Sequence, residues 1–281
     1  MIKIALIYFG ISRCPSKTRD GVYNNIIKPN DELGVTFTHI SCLNMVESIH
    51  NVRSGEYDVD IEKSDILKIH SDYYFLFNQN KNKINNELNF AKKRQDPFCD
   101  DWTSVRNLLN QLYVLHNGWK AFKAVNDDQF DAYFFLRPDI LYMDKVIIPE
   151  LLKKMGHDKS ILIPSWHSWG GLNDRCALAR PKAAKYYASR FNQIGRFCKH
   201  NDLHSESFLA WSLDRNGCYV GNLPLKGRRV RANGCIKDEN FSESCIDIPD
   251  QGVKFNYNGS GREGGNIKNF FFKWRDRRTL D

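Results

Sequence analysis

The chain has 281 residues, 42% hydrophobic and 26% charged, with 41 basic against 33 acidic residues and a formal net charge of +8. A chain of this length can withdraw ~75% of its extended surface from water, enough for one large α/β domain or two small ones. Its residue usage excludes collagen-like, coiled-coil and wholly disordered chains, and its charge favours an anionic partner: nucleic acid, a membrane surface or a phosphorylated small molecule.

Residues 2–9 (IKIALIYF), an apolar and β-branched run ending at Gly10, predict a buried strand. The run is far shorter than the ~20 residues a bilayer requires, and it lacks a signal peptide's longer apolar region and small-residue cleavage site. A cytosolic chain with no membrane span is therefore expected. The cysteines at 14, 42, 99, 176, 198, 218, 235 and 245 show no C-x-x-C pair or zinc spacing and read as reduced thiols. On that reading the sequons at Asn240 and Asn258 carry no glycan.

A polar loop over 11–20 and a helix to Lys28, stopped by Pro29, follow the first strand. Residues 35–41 and 73–78 read as further strands, and the Asn- and Lys-rich stretch 79–101 as a mobile excursion. Val105, Leu108, Leu109, Leu112, Leu115, Trp119 and Phe122 recur at helical spacing and predict a long amphipathic helix over 102–125. It feeds a second wholly apolar strand, 131–136, ending in Arg137-Pro138-Asp139. A strand over 159–164, a helix over 181–198 with proline in its first turn, a helix over 205–216 stopped by Gly217, and a short strand over 218–221 complete the pattern. Strands alternating with helices imply a mostly parallel central sheet flanked by helices. There is no internal repeat. A soft boundary near 225 divides a core, 1–225, from a basic, Gly-rich segment, 226–281, holding KGRRVR at 226–231 and five basic residues against one acid over 268–278. That segment reads either as a solvated tail or as a flap on an anionic ligand.

Ligands of open α/β sheets bind beyond the carboxyl ends of the strands. There Gly10 permits close backbone approach and Arg13 offers a fork of donors to a phosphate; a plain turn is the alternative. No G-x-G-x-x-G or Walker lysine is present. Asp139, fixed by Pro138, is one carboxylate of the kind that holds Mg²⁺ or Mn²⁺ together with water and substrate phosphate; an Arg137–Asp139 pair is the alternative. In Trp166-His-Ser-Trp169-Gly-Gly171-Leu-Asn173-Asp174-Arg175, indole faces and amide or carboxylate groups suit a sugar ring and its hydroxyls, or else a core tryptophan beside a tight turn. His204-Ser205-Glu206 reads as a helix N-terminus with Ser205 as cap, or as a metal ligand, His204, beside an acceptor contact, Glu206.

Taken together, ALIYFG-x-x-R, DAYFFLRPDILY, GGLNDRCALARPKAAKYYASRF and HSESFLAWSLDRNG occur in an order that resembles nucleotide-sugar glycosyltransferases of the GT-A fold in which Arg-Pro-Asp stands at the Asp-x-Asp position. Such proteins occur in bacterial polysaccharide clusters and large algal DNA viruses. The resemblance spans about residues 2–220. It implies a single Rossmann-like GT-A domain, a UDP-sugar donor (UDP-xylose or a UDP-hexose) and a glycan or glycoprotein acceptor. It places Gly10 and Arg13 near the diphosphate, Asp139 near Mn²⁺ or Mg²⁺, Gly171, Asn173 and Asp174 near donor sugar and acceptor, and Glu206 close by. The chain departs from the pattern where Arg137 replaces the first carboxylate and where Phe135 stands in place of a second arginine. Trp169-Gly170-Gly171 is also similar to the Trp-Gly-Gly-Glu-Asp stretch of β-1,4-galactosyltransferases, whose catalytic carboxylate would fall on Asn173, so Asp174 serves as base only with a one-residue shift.

The expected reaction is glycosyl transfer, with Arg13, Arg137, Asp139 and Gly171 on the donor, Trp166, Trp169, Asn173 and Glu206 on sugar or acceptor, Asp139 and His204 on the metal, and Asp174 as base of an inverting route. A retaining route needs no such base. The 226–231 and 259–265 stretches suit a lid. Two other classes stay open: a catalytically inactive carbohydrate-binding domain, and a nucleic-acid-binding protein. For the latter no finger, RNP or homeodomain signature is present, and aromatic residues avoid the basic stretches.

Overall fold

The first strand, β1 (Ile2–Ile11), sends Ala5, Ile7 and Phe9 into the core on one face of the sheet and Ile4, Leu6 and Tyr8 into the core on the other. Burial on both faces is why the run is apolar without alternation, and each of Ile4, Leu6, Ile7 and Phe9 stabilises the fold by about 1.5–3 kcal/mol. The computed structural model describes residues 1–257. After β1 come α1 (Pro15–Val22), a π turn, α2 (Lys28–Asp31) and β2 (Val35–Met45). A small antiparallel hairpin of β3 (Ser48–Asn51) and β4 (Glu56–Asp60) precedes β5 (Tyr73–Asn78), α3 (Asn85–Ala91), α4 (Thr103–Val125) and β6 (Ala132–Leu136). The chain continues through β7 (Ile140–Tyr142), α5 (Ile148–Lys153), β8 (Ser160–Ile163), β9 (Cys176–Ala179), α6 (Pro181–Ser189), α7 (Ile194–Phe197) and α8 (Ser205–Arg215). It closes with β10 (Tyr219–Asn222), β11 (Gly227–Arg229) and β12 (Val253–Lys254).

Eight strands form one sheet in the order β12-β10-β8-β9-β6-β1-β2-β5. Pairs β1–β2, β1–β6, β2–β5 and β8–β10 are parallel, while β9 runs antiparallel between β6 and β8. The result is a single α/β domain with a mostly parallel sheet flanked by helices, as the strand–helix alternation implies. No helix among the described residues is long and apolar enough to cross a membrane, and all eight cysteines are unpaired.

Several elements differ from the sequence expectation. The first helix begins at Pro15, inside the expected loop, and the chain stays helical through Pro29 to Asp31. Proline lacks the N–H that would bond the carbonyl four residues back, but that carbonyl, on Asn25, accepts from the Val146 N–H at 3.0 Å. The 79–101 stretch is built rather than loose. Ile84, Leu88 and Ala91 pack with α4 and α7, and the Asp96 carboxylate accepts from the N–H groups of Phe98, Asp100 and Trp102. The expected 181–198 helix breaks at Arg190, whose guanidinium turns inward onto the Tyr187 carbonyl at 2.5 Å and competes for that helix acceptor, leaving a 3₁₀ turn between α6 and α7. Past residue 225, β11 pairs with β7 and β12 joins the sheet edge. The 259–265 stretch, the 268–278 basic run and Asn258 lie outside the described residues.

Candidate active site

β1 and β6 lie side by side in parallel, Tyr8 level with Leu136, so their carboxyl ends open into one crevice. β1 leaves through Gly10, whose φ of +109° is open to glycine and costly for other residues. β6 leaves through Arg137-Pro138-Asp139. That turn is pinned on three sides: Thr18 Oγ1 donates to the Pro138 carbonyl at 2.8 Å, the Arg137 N–H donates to Tyr142 Oη at 3.0 Å, and the Val230 N–H donates to the Asp139 carbonyl at 2.8 Å.

Asp139 is 1% exposed. Arg137 grips both its oxygens, Nε on Oδ1 at 2.9 Å and Nη2 on Oδ2 at 2.7 Å, and Arg13 Nη1 stands 3.3 Å from Oδ2. Burial alone would raise this carboxyl, but Arg137, then Arg13 and Arg229, outweigh it and hold the group at about 2. The pair offered as the plain alternative for this motif is thus formed, joined by Arg13.

Two more carboxylates repeat the arrangement. Glu56, at the start of β4, accepts from the Ala232 N–H at 2.8 Å and lies 3.4 Å from Arg231 and 3.7 Å from Arg13. Glu239 accepts from both Nε and Nη2 of Arg229. The carboxylate side chains are only 1–2% exposed, whereas Arg13, Arg137, Arg229 and Arg231 are 11–23% exposed. Acids form the underlayer and guanidinium groups the outer layer. Behind Arg229, His167 Nδ1 meets Arg175 Nη1 at 2.7 Å while Nε2 meets the Asn240 carbonyl at 2.8 Å. Those partners fix the neutral Nε2–H tautomer, and burial followed by the Arg175 charge lowers its pKa.

Asp174 and Glu206 form the second feature. Asp174 ends the loop before β9 and Glu206 sits in the first turn of α8; both are buried. Burial, then the Asp174 charge, raises Glu206 to about 7, against a hydrogen bond from Ser205 Oγ. His204 Nδ1 lies 3.2 Å from Glu206 Oε2, and its ring stacks on Phe98. The helix starts at Ser205, so His204 holds the cap position and gives no side-chain cap bond; the Ser205 cap expected from sequence is not formed. Because Glu206 holds its proton more tightly when folded, its stabilising contribution is full below ~4.3, its unfolded value, and is lost as pH rises through about 7. Asp139 has the opposite sign, contributing above ~3.9 and losing that contribution as pH falls toward about 2. Thermal melts across this range are therefore expected to show the wild type losing ground to Glu206→Gln as pH rises from roughly 4 to 7.

The tryptophan loop faces inward more than its composition suggests. Trp166 is buried, donates Nε1–H to the Leu225 carbonyl at 2.9 Å and carries Arg175 on its ring. Asn173 is fully buried, with Nδ2 on the Trp166 carbonyl and Oδ1 accepting from the Arg175 N–H. These two residues hold the loop's shape and present no free group to a sugar. Gly171 fits where nothing larger can, since a Cβ there would meet the Glu206 carbonyl at 2.0 Å; its role is close packing on α8. Trp169 is 40% exposed. His167, Trp169 and Gly170 all have positive φ, a strained path held by bonds from the N–H groups of Ser168 and Trp169 to Ser244. Trp166 and Asn173 thus match the alternative of a core tryptophan beside a tight turn, and Trp169 is the exposed indole of the loop.

A divalent cation does not fit this donor set. Both oxygens of Asp139 are held by a guanidinium fork and His204 is paired with Glu206. Among the described residues no three His, Cys, Asp or Glu side chains group to hold a metal. The two residues expected as ligands, Asp139 and His204, are thus engaged with Arg137 and Arg13 and with Glu206.

Unpartnered polar atoms mark the crevice instead. Ser12 Oγ, Arg13 Nε and Gln111 Nε2 are buried without hydrogen-bond partners, and Gln111 lies against Gly10; Arg190 Nη2, next to the Tyr187 whose hydroxyl bonds the Asp174 carbonyl, is a fourth. Such donors call for a ligand or water. A separate cleft of about 710 Å³ between α1, β2 and β5 touches the Asp139 turn only at Pro138 and contains none of the candidate residues. Glu56, Glu239, Gln111 and Arg190 escaped the sequence reading; Arg175 was seen only as the end of the Trp166 stretch, and Arg229 and Arg231 only as charge in the 226–231 run.

The sequence matches no protein-family model and no curated protein sequence. Among solved structures, the chain is similar to the galactosyltransferase LgtC in complex with donor and acceptor sugar analogues, at 9% identity over 79% of this chain and 73% of that one, with a TM-score of 0.40. It is also similar to mouse xyloside xylosyltransferase 1 in its apo form, at 10% identity over 76% of this chain and 81% of that one, with a TM-score of 0.37.

Proposed function

We propose that this chain is a GT-A-type glycosyltransferase that moves a sugar from a nucleotide-sugar donor, foremost a UDP-sugar such as UDP-xylose or a UDP-hexose, to a hydroxyl of a glycan or glycoprotein acceptor. One observation carries the reading. At the ends of β1 and β6 an arginine layer adjoins a carboxylate pair, and Arg137 feels the charges of both Asp139 and Asp174. An anionic leaving group and a proton acceptor are what glycosyl transfer requires within one site.

In the reaction the acceptor oxygen bonds the anomeric carbon while the bond from that carbon to the diphosphate breaks, its electron pair leaving with the nucleoside diphosphate. The acceptor proton passes to Asp174, with Glu206 beside it, and the configuration inverts. Arg13 and Arg137 offset the charge that develops on the departing diphosphate. Gly10 lets the donor approach the backbone, Trp169 faces the acceptor, and the segment 226–257 covers the donor. A thermal-shift panel of UDP-, GDP- and CMP-sugars tests the reading. The donor is expected to raise the melting temperature, since a ligand present at 100 times its Kd stabilises by about 2.7 kcal/mol. No shift with any nucleotide sugar would overturn it.

A further inference from the structure

We infer that the anionic part of the ligand is held by guanidinium groups without a divalent cation, and that Asp139 is a positioning residue for Arg137 and Arg13 rather than a metal ligand. The inference rests on the proposed function for the identity of the ligand as a nucleoside diphosphate, while its anion-binding part stands on the geometry alone.

The order of the layers decides the sign of the ligand. A species entering the crevice meets Arg13, Arg137, Arg229 and Arg231 before it can reach Asp139, Glu56 or Glu239, whose side chains are 1–2% exposed beneath them. A cation is repelled by that outer layer, and an anion is drawn to it. Both oxygens of Asp139 already accept from Arg137 in a fork, and Arg13 adds a third contact. A cation at Asp139 would have to use the lone pairs these contacts leave, against the repulsion of the guanidinium groups around it.

Donors for an anion, by contrast, are to hand. Arg13 Nε and Ser12 Oγ are buried and unpartnered. Arg13 and Arg231 converge on one oxygen, Oε2, of Glu56, at 3.7 and 3.4 Å. Burial and the nearby charges of Arg13 and Arg229 lower the pKa of Arg231, a crowding of like charge that a bound anion relieves. Planar guanidinium groups match phosphate oxygens two at a time. Arg137 at the position where the family pattern has a carboxylate is, on this view, the substitution that exchanges a metal for a fork of donors.

Calorimetric titration of the full chain with inorganic pyrophosphate and with UDP, each in EDTA and in excess MnCl₂, tests the assignment. Both probes are expected to bind in EDTA, with less than about a tenfold change on adding Mn²⁺, and Arg231→Ala is expected to weaken both by about tenfold or more. Arg231 is the variant of choice because it leaves the Asp139–Arg137 fork intact; Asp139→Asn, with binding still indifferent to Mn²⁺, is the companion. Binding that requires Mn²⁺, or a Mn²⁺ gain that Asp139→Asn abolishes, would overturn the inference and leave glycosyl transfer standing. Unchanged binding in Arg231→Ala would also overturn it. Metal-free binding of pyrophosphate with no affinity for UDP, GDP or CDP would support the inference while removing the proposed function.

Discussion

Asp174→Asn is expected to lower turnover by roughly 10²–10⁴-fold, the usual worth of a positioned proton acceptor, with donor affinity little changed. The substitution keeps the shape of the side chain and the Tyr187 contact, which goes to the Asp174 main-chain carbonyl. It also alters the neighbour. Glu206 stands at about 7 because of burial first and the Asp174 charge second, so removing that charge lets Glu206 ionise at lower pH. Residual activity that depends on ionised Glu206 is therefore expected to persist below the wild-type Glu206 value of about 7, a change that a merely structural defect would not produce. Steady-state rates against pH, with the donor found by the nucleotide-sugar panel, measure both effects. Near-normal turnover would pass the role of base to Glu206, and Glu206→Gln would then carry the large loss.

The second large effect is on stability. Asp139→Ala leaves Arg137 and Arg13 without their shared counter-ion in a site that is 1% exposed at Asp139, and stranding one side of a buried pair costs about 3–5 kcal/mol. In a chain of this size that lowers the melting temperature by roughly 6–20 °C. A carboxylate whose function was to await a cation would behave oppositely, since its removal relieves repulsion in the metal-free protein. Differential scanning calorimetry in EDTA distinguishes the two: an unchanged or raised melting temperature would show that Asp139 is not the anchor of the arginine layer. Arg231→Ala, which strips one of several partners from Glu56 and leaves the Ala232 N–H in place, is expected to cost much less.

The sheet was legible where both faces of a strand are buried. The apolar runs of β1 and β6 announce themselves, and the 3.6-residue spacing of Val105 to Phe122 marks α4 to within a residue. Short strands that owe their existence to a distant partner were not. β3, β4, β7 and β11 are polar or brief, and β9 is a four-residue stretch whose antiparallel place between β6 and β8 is set by tertiary packing. Pro29 misled because its lost bond is replaced across the chain by Val146. Within the site, Arg13, Arg137, Asp139, Asp174 and Glu206 were visible as charges at strand and helix ends. Their partners were not, because Glu56 and Glu239 resemble any surface acid until the fold buries them. The density of Trp166, Trp169 and Asn173 was a true signal of an unusual loop, but composition does not reveal that two of the three point inward.

The bond between Glu56 and the Ala232 N–H joins positions 176 apart in the chain. Closing so long a loop costs configurational entropy before any contact repays it, and contacts of such separation slow folding. The Glu56–Ala232 bond thus forms only once residue 232 has been made and docked, whereas the β1–β2 ribbon draws on the N-terminal part of the chain alone. A nascent or clipped chain lacking that meeting point would hold the residues of the Arg137–Asp139 fork but lose the contacts of Ala232 and Arg231 with Glu56.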